Sequence, residues 1–303
     1  MAVSRTTDAS PKVVILGGGR GLTATIRAAR AYAGHVTAVV ATADDSGSTG
    51  RLRSAIGITA LGDLRRCLTA LAGAEETPLG RAFEHRFAKT DLEGHALGNL
   101  LLAGLTAVTG DLLDAIGDAS RLLGVDERTA QALPATAELV DLCATTVSGG
   151  RVFGQYAISK TAGIAHVALQ PPDVRAPDTA VKAILGADQV VLGPGSLYTS
   201  VLAAALVPAI HAALAETSAQ RVYVCNLEPE DAETLGYDAA AHIAALLSHG
   251  VRPDVALLDG NAAVQPGKTP VKVVTAALAA PDGITHDGEK LAVALTGLLP
   301  YGR

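Results

Sequence analysis

The sequence contains no tryptophan, only three phenylalanines and only three cysteines among its 303 residues. Because aromatic residues are so scarce, the core must be built from valine, leucine, isoleucine and alanine, which suits parallel strands covered by helices. The thiols of Cys67, Cys143 and Cys225 stand far apart in the sequence, so nothing suggests a disulfide framework or a cysteine metal knuckle. This cysteine usage favours the cytoplasm.

Basic clusters and long apolar runs are also missing. The net charge is −6 and lysine and arginine form no cluster, which disfavours non-specific binding to nucleic acid. The longest strongly apolar stretch, 201–215, is shorter than the roughly 20 residues of a membrane-spanning helix, and it contains Pro208 and His211. Residues 1–10 are polar and lack the apolar segment of a signal peptide, so we expect a flexible tail there.

The most informative stretch is 12–23, which reads Lys-Val-Val-Ile-Leu-Gly-Gly-Gly-Arg-Gly-Leu-Thr. The apolar run 13–16 predicts a strand buried on both faces, and a helical pattern begins after the glycines. Glycine lets the backbone turn sharply and approach a ligand, and the amides that open a helix favour an anion, usually phosphate. The candidate ligand-binding residues here are Gly17, Gly18, Gly19, Gly21 and Leu22.

A dinucleotide-binding fingerprint is only partly present in this turn. That fingerprint places glycine at its first, third and sixth positions. Gly17 and Gly19 fit, but the sixth position is Leu22 and Gly21 stands one place early. An NAD-type dehydrogenase is therefore disfavoured.

A second polar stretch, 44–53, follows a predicted strand at 35–41. Ligands of open parallel sheets bind at the carboxyl ends of the strands. Hydroxyls and glycine amides can cradle phosphate, Arg51 or Arg53 can grip it, Asp44 can accept from a sugar hydroxyl, and Asp44 or Asp45 can hold Mg²⁺. The alternative is a polar surface loop with an aspartate helix cap. The candidate ligand-binding residues here are Asp44, Asp45, Ser46, Gly47, Ser48 and Arg51.

A second switch from strand through glycine to helix occurs at 189–200, and a further predicted strand ends at Asn226. Two such turns in one sheet suggest a ligand with more than one phosphate, or with a phosphate and a carboxylate. An ordinary turn and helix cap is the alternative, because glycine and serine are common there. The candidate ligand-binding residues are Gly193, Gly195, Ser196, Tyr198, Thr199 and Asn226.

Catalytic groups are harder to find in this sequence. Asp63 either provides a negative charge at a helix start or belongs to a site, and His95 is a weak candidate for proton transfer. Asn99, a further candidate ligand-binding residue, shares a helix face with His95 if the helix begins by residue 95. No nucleophile and base stand together, so the catalytic residues stay unknown.

These elements predict an α/β fold, a Rossmann-like and mainly parallel sheet covered by helices. A hairpin at 140–146 and 152–159, with a third strand at 165–169, interrupts the alternation of strands and helices. We therefore expect one domain over 11–303 with an inserted hairpin and helical excursion, a subdomain around 95–175. The apolar helices predicted at 100–109 and 201–215 favour a homo-oligomer.

With these motifs placed, the sequence resembles the gluconeogenesis factor family (YvcK type), within the superfamily of 2-phospho-L-lactate transferase (CofD). Arg20 departs from the small hydroxyl residue expected after three glycines. The matching segments are Gly-Gly-Gly-Arg-Gly-Leu at 17–22, Ala-Asp-Asp-Ser-Gly-Ser-Thr-Gly-Arg-Leu-Arg at 43–53, Gly-Asp-Leu-Arg-Arg-Cys-Leu at 62–68, Gly-His-Ala-Leu-Gly-Asn-Leu at 94–100, Gly-Pro-Gly-Ser-Leu-Tyr-Thr-Ser at 193–200 and Val-Cys-Asn-Leu at 224–227.

The resemblance implies a cytoplasmic bacterial protein that binds nucleotide diphosphate-sugars such as UDP-N-acetylglucosamine and is linked to carbon metabolism, cell-wall precursor supply and cell shape. Since no nucleophile and base stand together, our first hypothesis is a regulatory protein rather than an enzyme, whose ligand-dependent surface contacts an enzyme of amino-sugar synthesis. The alternative is a Mg²⁺-dependent transferase that moves a phospholactyl-type group from a guanosine diphosphate carrier to a deazaflavin.

Overall fold

The computed structural model describes residues 10–89, 91–229 and 232–299. Of the tail predicted over 1–10, residues 1–9 lie outside this part of the chain. The strands are β1 (Lys12–Gly17), β2 (His35–Val40), β3 (Ala130–Pro134), β4 (Asp141–Thr146), β5 (Arg151–Phe153), β6 (Ile164–Gln170), β7 (Gln189–Leu192), β8 (Gln220–Val224), β9 (Val255–Asp259) and β10 (Lys272–Ala276).

Helices cover both faces of the main sheet. They are α1 (Gly19–Arg30), α2 (Gly47–Ile56), α3 (Gly62–Ala72), α4 (Pro78–Glu84), α5 (Leu97–Thr109), α6 (Leu112–Leu123), α7 (Gln155–Ser159), α8 (Asp178–Leu185), α9 (Ala203–Ala205), α10 (Pro208–Glu216), α11 (Ala239–Ser248) and α12 (Gly288–Leu298). A π-helical turn, Leu197–Leu202, leads directly into α9.

Seven parallel strands form the main sheet in the order β10-β9-β8-β7-β1-β2-β3. Leu16 of β1 pairs with Val39 of β2 on one side and with Leu192 of β7 on the other. The predicted Rossmann-like fold is therefore confirmed. The edge strand β3 has no counterpart in the prediction, because its sequence Ala-Gln-Ala-Leu-Pro lacks the β-branched run that marks the central strands.

Alternate residues of β1 enter two separate apolar cores, as a strand with both faces covered requires. Val13 and Ile15 pack with α1, α3, α6 and α12, and Val14 and Leu16 pack with α8, α10, α11 and the π-helical turn. The four side chains are at most 2% exposed. Aliphatic residues provide nearly all of this packing, as the composition predicts.

A separate antiparallel sheet has the order β5-β4-β6 and covers residues 141–170. The prediction of a strand over 152–159 is wrong in its second half, because Gln155–Ser159 forms α7. The chain leaves β5 at Gly154, whose φ of +92° favours glycine and turns the backbone out of the extended conformation. The predicted subdomain around 95–175 stays a prediction, and β3 within that range belongs to the main sheet.

Two local features differ from the expectations. The alternative of a polar surface loop with an aspartate helix cap does not describe the stretch after β2, because the helix α2 begins at Gly47 and its cap residue is Ser46. The apolar helix predicted over 201–215 is broken before Pro208, where two helical segments meet at 81°. Proline cannot continue the preceding helix because it lacks an amide hydrogen and its ring clashes with the turn before it.

None of the described helices is by itself both long and apolar enough to cross a membrane, and only the bent pair Leu197–Ala205 and Pro208–Glu216 meets the requirement jointly. Much of that pair lies in the core, with Val201, Leu202 and Ile210 fully buried. Of the two apolar helices predicted to favour a homo-oligomer, α5 leaves more apolar surface exposed, since Val108 is 86% exposed. The oligomeric state stays a prediction.

Candidate functional site

The candidate site lies where the order of the strands reverses. From β1 the chain proceeds to β2 and β3 on one side, while β7, β8, β9 and β10 extend the sheet on the other. In open α/β sheets this reversal leaves a crevice outside the carboxyl ends of the two central strands. Both predicted glycine turns, after β1 and after β7, lie at this crevice.

The two glycine turns pack directly against each other. A Cβ added at Gly21 would clash with the carbonyl oxygen of Pro194 and lie 2.8 Å from its carbonyl carbon. The Thr25 hydroxyl donates a hydrogen bond to the Gly193 carbonyl oxygen at 3.1 Å. Gly193 has a φ of +77°, in the region that favours glycine. These glycines therefore serve the close approach of two backbones as well as any ligand.

At the first glycine turn, a carboxylate of the protein already binds a backbone amide. The Gly19 N–H donates a hydrogen bond to Asp63 Oδ2 at 2.6 Å, and Asp63 also pairs with the guanidinium of Arg66. Burial would lower the pKa of Arg66, but the nearby negative charge of Asp63 raises it above the ordinary value. Asp63 thus occupies the position at the start of α1 where the sequence predicts an anion.

A second carboxylate occupies the other turn in the same way. Glu233 is 1% exposed and accepts hydrogen bonds from the Tyr198 N–H at 2.6 Å and the Thr199 hydroxyl at 2.8 Å. Asn226 accepts from the Gly195 N–H at 2.9 Å and donates to the Gly195 carbonyl oxygen at 3.1 Å. The sequence carries no signal for Glu233, because it lies in a mixed polar segment between β8 and α11.

The stretch after β2 spreads its side chains in different directions. Asp44 Oδ1 accepts from the Ser46 N–H at 2.9 Å and its hydroxyl at 2.7 Å. Asp45 points away and accepts from the Tyr156 N–H at 2.8 Å. Arg51 donates to the Glu93 carbonyl oxygen, and the Ser48 hydroxyl lies 3.3 Å from Arg86 Nη1. Much of this stretch therefore binds other parts of the protein.

Three cavities lie around this crevice. The inner cavity, about 290 Å³, is lined by Gly19, Ala41, Asp44, Ser46, Asp63, Arg66, Gln155, Tyr156, Ser159, Ser196, Thr199, Ser200 and Glu233. The outer cavity, about 780 Å³, is lined by Gly19, Arg20, Gly21, Thr23, Ala24, Arg27, Pro194, Gly195, Ser196, Asn226, Leu227, Glu228, Pro229, Ile284, Thr285 and His286. The side groove, about 560 Å³, is lined by Asp45, Gly47, Gly50, Arg51, Arg53, Ser54, Leu139 and Asp141.

The structure thus divides the predicted site residues into groups. The inner cavity brings Asp44 and Ser46 together with Ser196 and Thr199, and the outer cavity adds Gly21, Gly195 and Asn226. Asp45, Gly47 and Arg51 face the side groove. None of these three cavities is lined by Gly17, Gly18, Leu22, Ser48, His95, Asn99, Gly193 or Tyr198.

His95 and Asn99 take part in buried contacts of the protein instead. The helix α5 begins at Leu97, so His95 precedes it. Asn99 is 1% exposed and its Oδ1 accepts from Arg65 Nη1 at 2.9 Å. The Nε2 atom of His95 faces Arg51 Nε at 3.4 Å, and burial together with the charge of Arg51 lowers the pKa of this histidine. A neutral imidazole accepts the arginine hydrogen.

Arg66, Ser200, Tyr156, Gln155 and Ser159 line the inner cavity without having been predicted as site residues. Ser200 follows Ser196 by one helical turn in a hydroxyl-rich stretch, a spacing that could have revealed it. The residues of α7 carry no such signal, since only the tertiary fold brings that helix against the loop after β2.

The possible magnesium site at Asp44 and Asp45 is divided between two cavities. Nowhere among the described residues do three or more aspartate, glutamate, histidine or cysteine side chains form a group able to hold a metal ion. Protein sites for Mg²⁺ commonly combine one or two carboxylates with water and ligand phosphates. The described residues by themselves therefore supply too few ligands for Mg²⁺.

Comparisons with known proteins agree with the motifs. A family model described as 2-phospho-L-lactate transferase CofD matches residues 13–291. The gluconeogenesis factor of Halalkalibacterium halodurans is 41% identical over 239 residues, which are 78% of this chain and 73% of that protein. The gluconeogenesis factor of Bacillus subtilis is 41% identical over 242 residues, which are 79% of this chain and 75% of that protein. The chain belongs to the gluconeogenesis factor family, within the CofD superfamily. The resemblance predicted from the motifs is confirmed.

Other relatives differ in length from this chain. A relative from Nostoc sp. is 43% identical over 238 residues, which are 78% of this chain but 51% of that protein, so the chain spans about half of its length. A crystal structure of a UPF0052 family member from Bacillus halodurans superimposes with a TM-score of 0.88 at 35% identity. The superposition covers 95% of this chain and 99% of that one, which supports the same fold.

Proposed function

We propose that this gluconeogenesis factor family member binds a nucleotide diphosphate-sugar of the UDP-N-acetylglucosamine type and acts as a regulator in the cytoplasm. The observation that carries the proposal is that the inner and outer cavities are neighbours that share two lining residues, Gly19 and Ser196. A ligand with two end groups joined by a diphosphate has the shape to occupy two neighbouring cavities. Its phosphates would lie beside the glycine turns on the side of Arg20 and Arg27, because Asp63 and Glu233 already bind the amides at the two helix starts.

The chemistry of the lining supports binding more than catalysis. The described residues of the inner cavity provide hydroxyls, carboxylates, one amide and one guanidinium, and no histidine is among them. Nucleophilic catalysis by a hydroxyl needs such a base within hydrogen-bond reach. Ligand binding in the crevice would then change a surface of the protein to which a partner binds. We propose an enzyme of amino-sugar synthesis as that partner. The links to cell-wall precursor supply and cell shape are part of the same proposal.

Titration calorimetry tests this function directly. The protein is titrated with UDP-N-acetylglucosamine, with and without Mg²⁺, and with GDP as the comparator. We expect micromolar affinity for the UDP-sugar and a weaker affinity in Ser196→Ala, by roughly 3- to 10-fold for one lost hydrogen bond. Ser218→Ala, a change at an exposed serine outside the three cavities, is the matched control. Failure of the wild-type protein to bind the UDP-sugar would refute the proposal.

The transferase alternative has one observation in its favour. Asp44 and Asp63 line the same cavity next to the first glycine turn, and phosphorus-group transfer needs mainly positioning and charge neutralisation. GDP binding that requires Mg²⁺, with no response to the UDP-sugar, would support this alternative. An assay with a deazaflavin acceptor would then follow.

A further inference from the structure

The inner and outer cavities differ in charge although they share Gly19 and Ser196. The inner cavity contains three carboxylates, those of Asp44, Asp63 and Glu233, and a single guanidinium, that of Arg66. The outer cavity contains the guanidiniums of Arg20 and Arg27, of which Arg27 is paired with Glu75, and one carboxylate, that of Glu228. Because like charges repel strongly in a partly enclosed site, the inner cavity disfavours phosphate more than the outer cavity does. The charge contrast therefore orients a ligand that has an anionic part and a neutral part.

The lining of the inner cavity suits a neutral group that is rich in hydroxyls. Carboxylates accept hydrogen bonds from hydroxyls, and charge-assisted hydrogen bonds of this kind are stronger than neutral ones. Serine and threonine hydroxyls can both donate and accept. A sugar ring presents many hydroxyls around its rim, so it can satisfy such a lining where an aliphatic group cannot.

Ser200 provides an independent indication of a ligand. Ser200 is only 7% exposed and lines the inner cavity, and among the described residues its hydroxyl makes no side-chain hydrogen bond; the oxygen is open to the cavity rather than fully buried. A hydroxyl placed in this way can donate to, or accept from, a group that enters the cavity.

Tyr156 supplies the apolar element at the same cavity. The residue is 56% exposed, although the chain contains only nine aromatic residues of the Phe and Tyr types, and the Lys160 ammonium lies 6.0 Å from the centre of its ring. The hydrogen bond from its N–H to Asp45 fixes the start of α7 beside the loop after β2. A tyrosine offers a flat apolar face with a polar tip. Such a face can cover the C–H side of a sugar ring while the sugar hydroxyls meet the polar wall.

We infer that the inner cavity is the sugar subsite of the nucleotide-sugar, with the sugar ring against Tyr156 and its hydroxyls bound by Ser200 and the cavity carboxylates. The nucleoside then lies in the outer cavity, with the diphosphate beside Arg20, near Gly19 and Ser196, which line both cavities. This inference rests on the proposed function and adds to it the orientation of the ligand. It makes Tyr156 and Ser200 specificity residues for the sugar.

Calorimetry of Tyr156→Ala with two ligands, UDP-N-acetylglucosamine and UDP, tests the orientation. We expect the variant to bind the UDP-sugar about 3- to 10-fold more weakly, the effect of one lost ring contact, while its affinity for UDP changes by less than about twofold. Tyr156→Phe keeps the ring and should bind both ligands like the wild type. Phe153→Ala is the matched control, because Phe153 is 61% exposed on the same segment and lines none of the three cavities.

Ser200→Ala provides a second, smaller change in the lining of the same cavity. It should weaken binding of the UDP-sugar by about 3- to 10-fold, as the loss of one hydrogen bond does, and leave UDP binding unchanged. Circular dichroism and the melting temperature of each variant show that the fold is retained.

Each outcome of these titrations decides one point. Equal losses for UDP and the UDP-sugar in Tyr156→Ala would place the nucleoside at this ring and overturn the orientation. Unchanged binding of the UDP-sugar in both Tyr156→Ala and Ser200→Ala would overturn the sugar subsite while the proposed function stands. A wild-type protein that binds neither ligand would refute the proposed function itself.

Discussion

The buried carboxylate of Glu233 accepts a hydrogen bond from the Thr199 hydroxyl at 2.8 Å, across 34 residues of sequence. It also accepts from the Tyr198 N–H at 2.6 Å and from the Thr199 N–H at 3.3 Å. Glu233 thereby caps the π-helical turn and neutralises its positive end. Of the amides at the second glycine turn, two are therefore already occupied by the protein itself, and a ligand anion must use other groups.

We predict that Glu233→Ala lowers the free energy of unfolding by about 2–4 kcal/mol, because it leaves the buried Tyr198 and Thr199 donors unpaired. Glu233→Gln should lower the free energy of unfolding by less, since its amide oxygen can still accept hydrogen bonds from the backbone. Urea unfolding followed by circular dichroism measures both effects. Glu228→Ala changes an exposed glutamate nearby and should cost less than about 0.5 kcal/mol. Equal stability of Glu233→Ala and Glu228→Ala would contradict the capping role.

A second prediction concerns Asn99, which the sequence places among the ligand-binding residues. Its Oδ1 accepts from the guanidinium of the 1% exposed Arg65 at 2.9 Å, so Asn99→Ala should lower the free energy of unfolding by about 1–3 kcal/mol. Its affinity for UDP-N-acetylglucosamine should change by less than about twofold. Asn261→Ala, at an exposed asparagine, is the control. Weaker binding at full stability would instead place Asn99 in contact with the ligand.

The third prediction is a pH dependence that comes from His286 in the outer cavity. Burial lowers its pKa from 6.5 to about 4, although the Cys225 carbonyl and the Asp259 carboxylate favour the protonated ring. The unfolded chain therefore takes up this proton near pH 6.5, and the folded protein takes it up only near pH 4. The stability that His286 contributes is complete above about pH 6.5 and is lost as the pH falls toward about 4.

Urea unfolding at about pH 7, 6 and 5 compares the wild type with His286→Gln. The loss of unfolding free energy between about pH 6.5 and 5 should be smaller in the variant by up to about 2 kcal/mol. His85→Gln removes an exposed imidazole and controls for the loss of a histidine as such. Parallel pH profiles of the wild type and His286→Gln would show that this ring is not held neutral by the fold.

The fourth prediction compares two helical glycines. At Gly21 an added Cβ would clash with the Pro194 carbonyl, so Gly21→Ala should lower the free energy of unfolding by at least about 2 kcal/mol. At Gly104 in α5 an added Cβ meets nothing within 4 Å, so Gly104→Ala should raise stability by about 0.5–1 kcal/mol. The melting temperatures of the two variants report the difference. A stable Gly21→Ala would show that the two glycine turns can move apart.

Much of the fold was predictable because central parallel strands carry a strong local signal. β1 and β7 contain short apolar runs that are followed by glycine, and their predicted positions agree with the structure. The weak edge strand β3 and the short helix α7 were not predicted, since neither has an apolar period of its own and tertiary contacts determine both. Pro208 in the sequence could have indicated the helix break before it. The apolar pattern continues on both sides of this proline, however, and favours one continuous helix.

For the site, the sequence by itself determined which backbone segments meet at the crevice. Glycine turns that follow buried parallel strands must lie at the carboxyl edge of the sheet, so the turns after β1 and β7 come together wherever the chain adopts this fold. The choice of glycine at 21 and 193 follows from that close approach. These are properties of local pattern and chain direction, and they can be read without the tertiary structure.

Only the tertiary structure decided which groups of those turns a ligand can reach. Asp63 binds the Gly19 amide across 44 residues, and Glu233 binds the Tyr198 amide across 35. Asp45, next to Asp44 in sequence, turns to Tyr156 and faces a different cavity. Hydrogen bonds between distant segments leave no periodic pattern in the sequence, because they depend on where loops of irregular path bring single side chains.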